Sequence, residues 1–165
     1  MRRSIPVLLA VLLLAGLVCL SLAGCGTTTV KVGDTEVTTE NGKTSVKTGD
    51  GETTLSKTLT EAEAGVPIYP GAKADENSVL TTTNAAGQTE VMAASLWTGD
   101  STDNVIAWYK TKLAGKTQYT EMPVTEGGVS EMIFGWKDGD KYKMVTVGSD
   151  KGDHPGKTAI VIGAR

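Results

Sequence analysis

The sequence predicts an α+β protein in which an antiparallel sheet of about five or six strands is covered by one helix and preceded by a β-rich repetitive stalk. Three observations predict this class. The three Trp, the four Tyr and the one Phe all lie after residue 65, so the hydrophobic core belongs there. Within that region one segment has apolar residues at helical spacing, whereas several others alternate as strands do. Residues 26–65 contain a Thr- and Gly-rich repeat and no aromatic residue.

The folded domain is expected over residues 66–165, which is a usual size for one domain. Its strands are connected by turn signals, including a four-residue connection at Asn84–Gly87 and the Asp138-Gly139 pair of a hairpin. The pattern therefore predicts the order β-β-α-β-β-β-β, with strands over residues 78–83, 88–98, 117–122, 131–136, 141–147 and 158–162.

One helix is predicted between a capping residue, Asp100 or Ser101, and Gly115. Lys110 and Lys112 lie near its C-terminal end, where positive charge is favourable. The helix is expected to dock on one sheet face through a single apolar stripe, which consists of Val105, Ile106, Tyr109 and Leu113.

The stalk, residues 25–65, contains a repeat marked by Gly33, Gly42 and Gly51, which recur every nine residues. Asn41-Gly42 and Asp50-Gly51 are tight-turn dipeptides, and the intervening Thr and Val favour extended backbone. The repeat therefore predicts short strands that turn back every nine residues, followed by a short helical turn near residues 58–64. Its apolar residues are too few for a core of its own, so a stiff or semi-ordered spacer is expected.

Residues 1–24 have the layout of an export signal, in which Arg2 and Arg3 precede an apolar run that ends in small residues. An uncleaved transmembrane anchor is the alternative, because the run is about 18 residues long. Leu22, Ala23, Gly24 and Cys25 resemble the lipobox of bacterial lipoproteins. That resemblance implies that residues 1–24 are a signal peptide and that Cys25 becomes an acylated (palmitate-bearing) N-terminus. Cys19 is interpreted as an apolar filler of the signal, so no pair of cysteines is left for a disulfide.

The segment Val-Pro-Ile-Tyr-Pro-Gly-Ala-Lys, together with a helix of the form Asp-x-Val-x-x-Trp-Tyr-x-x-x-Leu, resembles a family of small bacterial envelope lipoproteins. In that family a lipobox and a Thr/Gly-rich repetitive segment precede such a domain. The resemblance implies an architecture and an envelope location, facing the periplasm or the cell exterior, and it implies no activity. Gly115-Lys116 departs from the Gly-Trp pair that commonly ends the helix in the family. The residues that carry the resemblance are Pro67, Tyr69, Pro70, Gly71, Ala72, Val105, Trp108, Tyr109 and Leu113.

Composition argues against several classes of function. The chain has 16 basic and 19 acidic residues and so lacks the positive charge that nucleic-acid binding needs. With one His in the chain, a metal site would have to use the loop of Asp150, Asp153 and His154, although these residue types are also ordinary loop formers. The sequence therefore predicts neither an enzyme nor a cofactor, and a metal-dependent hydrolase that uses this loop is the weakest alternative.

Two other interpretations remain open. In the first, the protein is a lipid-anchored binding or envelope-assembly module with a protein or glycan partner. Trp108 is the candidate binding residue, because it lies at the edge of the helix stripe, about 100° from Tyr109. In the second, the protein is a structural spacer lipoprotein without a specific ligand. An apolar patch on the open side of the sheet would favour the first interpretation, and a polar surface the second.

Overall fold

A computed structural model describes residues 27–126 and 129–164, which form one antiparallel sheet of ten strands and two short helices. The prediction of a five- or six-stranded sheet behind a separate stalk is therefore wrong. The strands lie side by side in the order β1-β2-β3-β4-β5-β6-β10-β9-β8-β7. Their bounds are β1 Thr28–Val32, β2 Thr35–Glu40, β3 Lys43–Thr48, β4 Gly51–Ser56, β5 Lys73–Asn84, β6 Thr89–Thr98, β7 Thr120–Glu126, β8 Val129–Asp138, β9 Lys141–Ser149 and β10 Thr158–Ala164; the helices are α1 Glu61–Ala64 and α2 Thr102–Leu113.

The first four strands form a meander, as predicted, but the turns recur every eight residues rather than nine. Two-residue loops begin at residues 33, 41 and 49 and join strands whose residues pair directly on either side. Asn41 and Gly42 both have positive φ, 50° and 73°, which fits a hairpin turn whose twist matches the strands. Because the glycines recur every nine residues and the loops every eight, each successive glycine lies one position later relative to its loop. Gly51 lies outside its loop, at the start of β4, where a Cβ atom would collide with the carbonyl oxygen of Thr83.

The fold prediction failed because β4 pairs with β5, from Gly51 opposite Asn84 to Ser56 opposite Val79. A strand that hydrogen-bonds to an existing sheet edge does not need a hydrophobic core of its own. Thr54 and Ser56, at 8 % exposure each, are buried by that pairing although neither is apolar. Pairing therefore continues without a break across the predicted boundary at residue 65.

The core lies on one side of the sheet, beneath α2 and the segment around α1. Ser101 caps α2 by accepting a hydrogen bond from the backbone N–H of Asn104, and the predicted stripe buries Val105, Tyr109 and Leu113. The helical turn predicted near residues 58–64 is present as α1. Lys143, which is 7 % exposed, donates a 3.0 Å hydrogen bond from Nζ to the carbonyl of Ala64 at the end of α1. The buried apolar side chains of the sheet include Val79, Val91, Leu96, Phe134, Trp136, Val145, Val147, Ile160 and Ile162.

Candidate functional site: the open face of the sheet

The sheet has two faces, because successive side chains of a strand point to opposite sides. We call the side that bears α2 the helix side and the opposite side the open face. Strand neighbours of the buried core residues belong to the open face, for example Met144 beside Val145 and Val161 beside Ile160. Five of the large apolar side chains with high exposure lie on the open face: Val32 at 57 %, Met122 at 53 %, Tyr142 at 44 %, Val161 at 40 % and Met144 at 38 %.

The strand register arranges the open face into cross-strand rows. The short row crosses five neighbouring strands and contains Met122, Ile133, Thr146, Val161 and Ser95. The long row crosses all ten strands, from one edge of the sheet to the other, and no member of either row is charged. The members of the long row are Thr120, Gly135, Met144, Gly163, Ala93, Leu80, Leu55, Thr44, Thr39 and Thr28.

In strands β1 to β4 the charges are sorted between the two faces. The open face of these strands bears only Thr, Val, Leu and Gly, whereas their Lys and Glu residues all lie on the helix side. Lys31 and Glu36 are cross-strand partners with Nζ and Oε2 2.9 Å apart, and this bond lowers the pKa of Glu36. The ladder of alternating charge continues through Lys47 and Glu52.

On the rest of the open face, charged residues lie outside both rows. Glu131 extends over Gly148, where an added Cβ atom would lie 2.7 Å from the Glu131 Cγ. Tyr142 covers Gly135 in the same way, so side chains fill the places that these glycines leave empty. Other charged strand residues that the register assigns to this face include Lys73, Glu90 and Lys137.

A polar cluster lies at one end of the open face, where Trp97 pairs with Lys73. The His154 ring stacks on Trp97 with centroids 4.2 Å apart, and His154 Nε2 lies 2.6 Å from Asp75 Oδ2. Trp97 donates a 3.2 Å hydrogen bond from Nε1 to the other oxygen of Asp75. The bond from His154 is the main cause that lowers the pKa of Asp75, and the bond from Trp97 contributes to the same shift.

This cluster differs from the metal loop that the sequence suggested. The loop places His154 against Asp75, 79 residues away, while Asp150 accepts a 2.7 Å hydrogen bond from the backbone of Gly152 and thereby shapes the turn. Within the described residues no three His, Cys, Asp or Glu side chains come together as metal ligands, so Asp150, Asp153 and His154 are not assembled into a site. The cluster ties the β9–β10 loop to β5, and no short-range sequence signal connects the two segments.

Trp108, the candidate binding residue of the sequence analysis, lies on the helix side and not on the open face. It packs edge-on against Tyr69 and Tyr109, with ring centroids 5.3 Å and 4.8 Å away. The Lys112 ammonium group lies 5.7 Å from the centroid of the Trp108 ring. Trp108 therefore extends the core as a half-buried member of an aromatic cluster.

Cys25 and the lipobox residues Leu22, Ala23 and Gly24 lie outside the described residues. The first strand begins at Thr28, close behind them in sequence, and it forms an edge of the sheet. In the part of the chain that the structure describes, neither helix has the length and apolarity to span a bilayer. Comparison of the chain with protein-family models, with curated proteins and with solved structures gave no match.

Proposed function

We propose that this chain is a lipid-anchored, non-catalytic protein of the bacterial cell envelope, attached to the membrane through Cys25, and that its open face is a binding or assembly surface. The observation that carries the binding role is the uncharged long row across all ten strands. Covering the two rows removes exposed Met and Val side chains from water without burying a charged member of either row. A surface that only had to stay soluble would have no reason to keep an entire row from edge to edge free of charge.

The anchor and the sheet together suggest how the protein stands on its membrane. Cys25 precedes β1 by two residues, so the β1 edge of the sheet faces the lipid in this arrangement. Each further strand then lies about 4.8 Å farther out. The four strands of the meander place β5 about 19 Å beyond β1, which gives the Thr-rich segment the reach expected of a stalk.

A spacer without a ligand is the second candidate function, because the helix side of the same four strands carries the Lys31–Glu36 ion pair with Lys47 and Glu52 beside it in the register. The spacer interpretation explains the meander, and it leaves the uncharged rows on β5 to β10 without a purpose. A metal-dependent hydrolase gains no support from the geometry, since His154 is engaged by Asp75 and stacked on Trp97.

Membrane fractionation tests the anchor with two matched variants, Cys25→Ala and Cys19→Ala, in cells fed a clickable palmitate analogue. Cys25→Ala is expected to lose the lipid label and to keep residues 1–24, whereas Cys19→Ala is expected to behave like the unchanged chain. Equal labelling and processing of Cys25→Ala and the unchanged chain would refute the anchor.

Accessibility to a water-soluble maleimide tests the binding surface in intact membranes. Val161→Cys, in the short row, is compared with Thr111→Cys, an exposed residue on α2. Slower labelling of residue 161 than of residue 111 is expected, because a partner covers the open face. Equal labelling of the two positions would refute the binding role and would leave the spacer.

A further inference from the structure

We propose that the partner on the open face is a second copy of this chain, packed face to face so that the two open faces form the interior of a sandwich. This inference rests on the binding role proposed above and names the occupant of the same surface.

The size of the open face fits a stable pair. Ten strands span about 43 Å between the centres of the edge strands, and five residues of strand span about 17 Å. Their product, on the order of 700 Å² in projection, is close to the roughly 800 Å² that each partner buries in a standard interface. One row alone is too narrow to provide that area, so the occupant must cover both rows across several strands, as another sheet does.

The chemistry of the open face suits its own copy better than a charged or strongly polar partner. Thr39 and Thr44 of the long row place their hydroxyl oxygens 3.3 Å apart, so one hydroxyl donates to the other within the same face. Gly163 and Ala93 are neighbours in the same row and lie between the larger Met144 and Leu80. Side chains of such unequal size give the face a relief that lets two sheets interdigitate at the usual separation of about 10 Å.

The anchor decides the symmetry of the pair. Two copies of one chain that pair through the same surface are related by a two-fold axis. Both β1 edges must reach one membrane, so the axis runs across the strands, from β1 toward the far edge, between the two faces. The axis is parallel to the two neighbouring uncharged rows, so Thr146 of the short row lies near the axis and close to its own counterpart in the second copy.

Crosslinking of the full chain in native membranes tests this arrangement. With Cys25 acylated and residues 1–24 removed, an engineered cysteine is the only free thiol of the mature chain. Thr146→Cys is expected to give a dimer with a short bismaleimide, whereas Thr111→Cys, an exposed Thr on α2, is expected to remain monomeric. Adding Val161→Glu to Thr146→Cys is expected to lower the dimer yield by about tenfold or more, because it buries two facing carboxylates.

The controls separate the possible failures. Met144→Glu serves as a second disrupting variant on the long row, and limited proteolysis checks that each variant is folded. Absence of a Thr146→Cys dimer together with protection of residue 161 from maleimide would overturn the second copy and keep the binding surface. Absence of a dimer with free labelling would overturn both proposals. A dimer that persists in both Glu variants would also overturn the inference, since the contact would then lie elsewhere. A crosslinked dimer of the unchanged chain would show that Cys25 carries a free thiol, and it would refute only the lipid anchor.

Discussion

Deleting residues 35–50 removes two strands of the meander while keeping the geometry of β1. The deletion joins the Gly33-Asp34 loop directly to β4, so that Lys31 comes to lie opposite Glu52 and Val30 opposite Thr53. Both new pairs match faces, because Lys31 and Glu52 lie on the helix side and Val30 and Thr53 on the open face. β1 also keeps its direction, since two strands have been removed.

The structure sets the size of the expected effect. Removing two strands brings β1 closer to the rest of the sheet by about 10 Å, at about 4.8 Å for each strand. Deletion of residues 35–42 alone is the informative contrast, because it removes one strand and therefore reverses β1. That change moves the start of β1 by about 17 Å along the strand direction, and it puts Lys31 opposite Thr44 on the open face.

Energy transfer from a fluorophore on Thr125→Cys of β7, the far edge of the sheet, to acceptors in the lipid measures the change. The full chain is used in membranes. The deletion of 35–50 is expected to shorten the distance to the membrane by about 10 Å and to leave resistance to proteolysis unchanged. An unchanged distance with an intact fold would refute the idea that the strands are stacked outward from the lipid.

Three further predictions concern stability. Tyr109→Phe is expected to raise the free energy of unfolding in urea by up to about 1 kcal/mol, because the buried hydroxyl lacks a hydrogen-bond partner among the described residues, and a loss of stability would contradict this. Gly65→Ala is expected to lower the free energy of unfolding by about 1 kcal/mol or more, since residue 65 has φ 59° and its Cβ atom would lie 3.2 Å from Nζ of the buried Lys143. Gly71→Ala is the control and is expected to lower it less in the same urea melts, because φ is 76° but no atom lies within 4 Å of the added Cβ. In His154→Ala the pKa of Asp75 returns toward its ordinary value, so the stability that the ionised carboxylate provides is lost at a higher pH during acid unfolding, and an unchanged acid midpoint would contradict the pairing.

Local patterns were sufficient for α2 and for the Asn41-Gly42 hairpin. Ser101, the apolar stripe and the lysines near the C-terminal end mark α2 within one segment of the chain, and each signal acts over a few residues. Asn41-Gly42 likewise defines a hairpin, because positive φ at two successive residues is a local property. α2 and the Asn41-Gly42 turn are found where the sequence placed them, whereas Asp50-Gly51 and Asp138-Gly139 each lie one residue off the observed two-residue loops.

The ten-stranded sheet was beyond such patterns because strand partners are not encoded locally. Thr54 and Ser56 appear as polar stalk residues in the sequence and become buried only because β5 lies beside β4. The drift of the glycine repeat, which puts Gly51 at the start of β4, also concealed the eight-residue period of the turns.

The candidate functional residues show the same difference between local and tertiary information. The sequence singled out Trp108 because of its position on a helix, but in the fold Tyr69 packs edge-on against its ring and the Lys112 ammonium group lies over it. It gave no reason to associate Asp75 with His154, since hydrogen bonding between residues so distant depends on the packing of two loops.

The sequence by itself determined that residues 28–56 turn back on themselves as short strands and where α2 begins and ends. Those properties follow from backbone preferences and side-chain alternation, which act between near neighbours. Only the tertiary structure decided that the ten strands join into one sheet and that their uncharged positions line up in one row from edge to edge. The row exists because register fixes which residue of each strand lies beside its neighbour, and a slip of one residue in any pair would move charged side chains onto the open face.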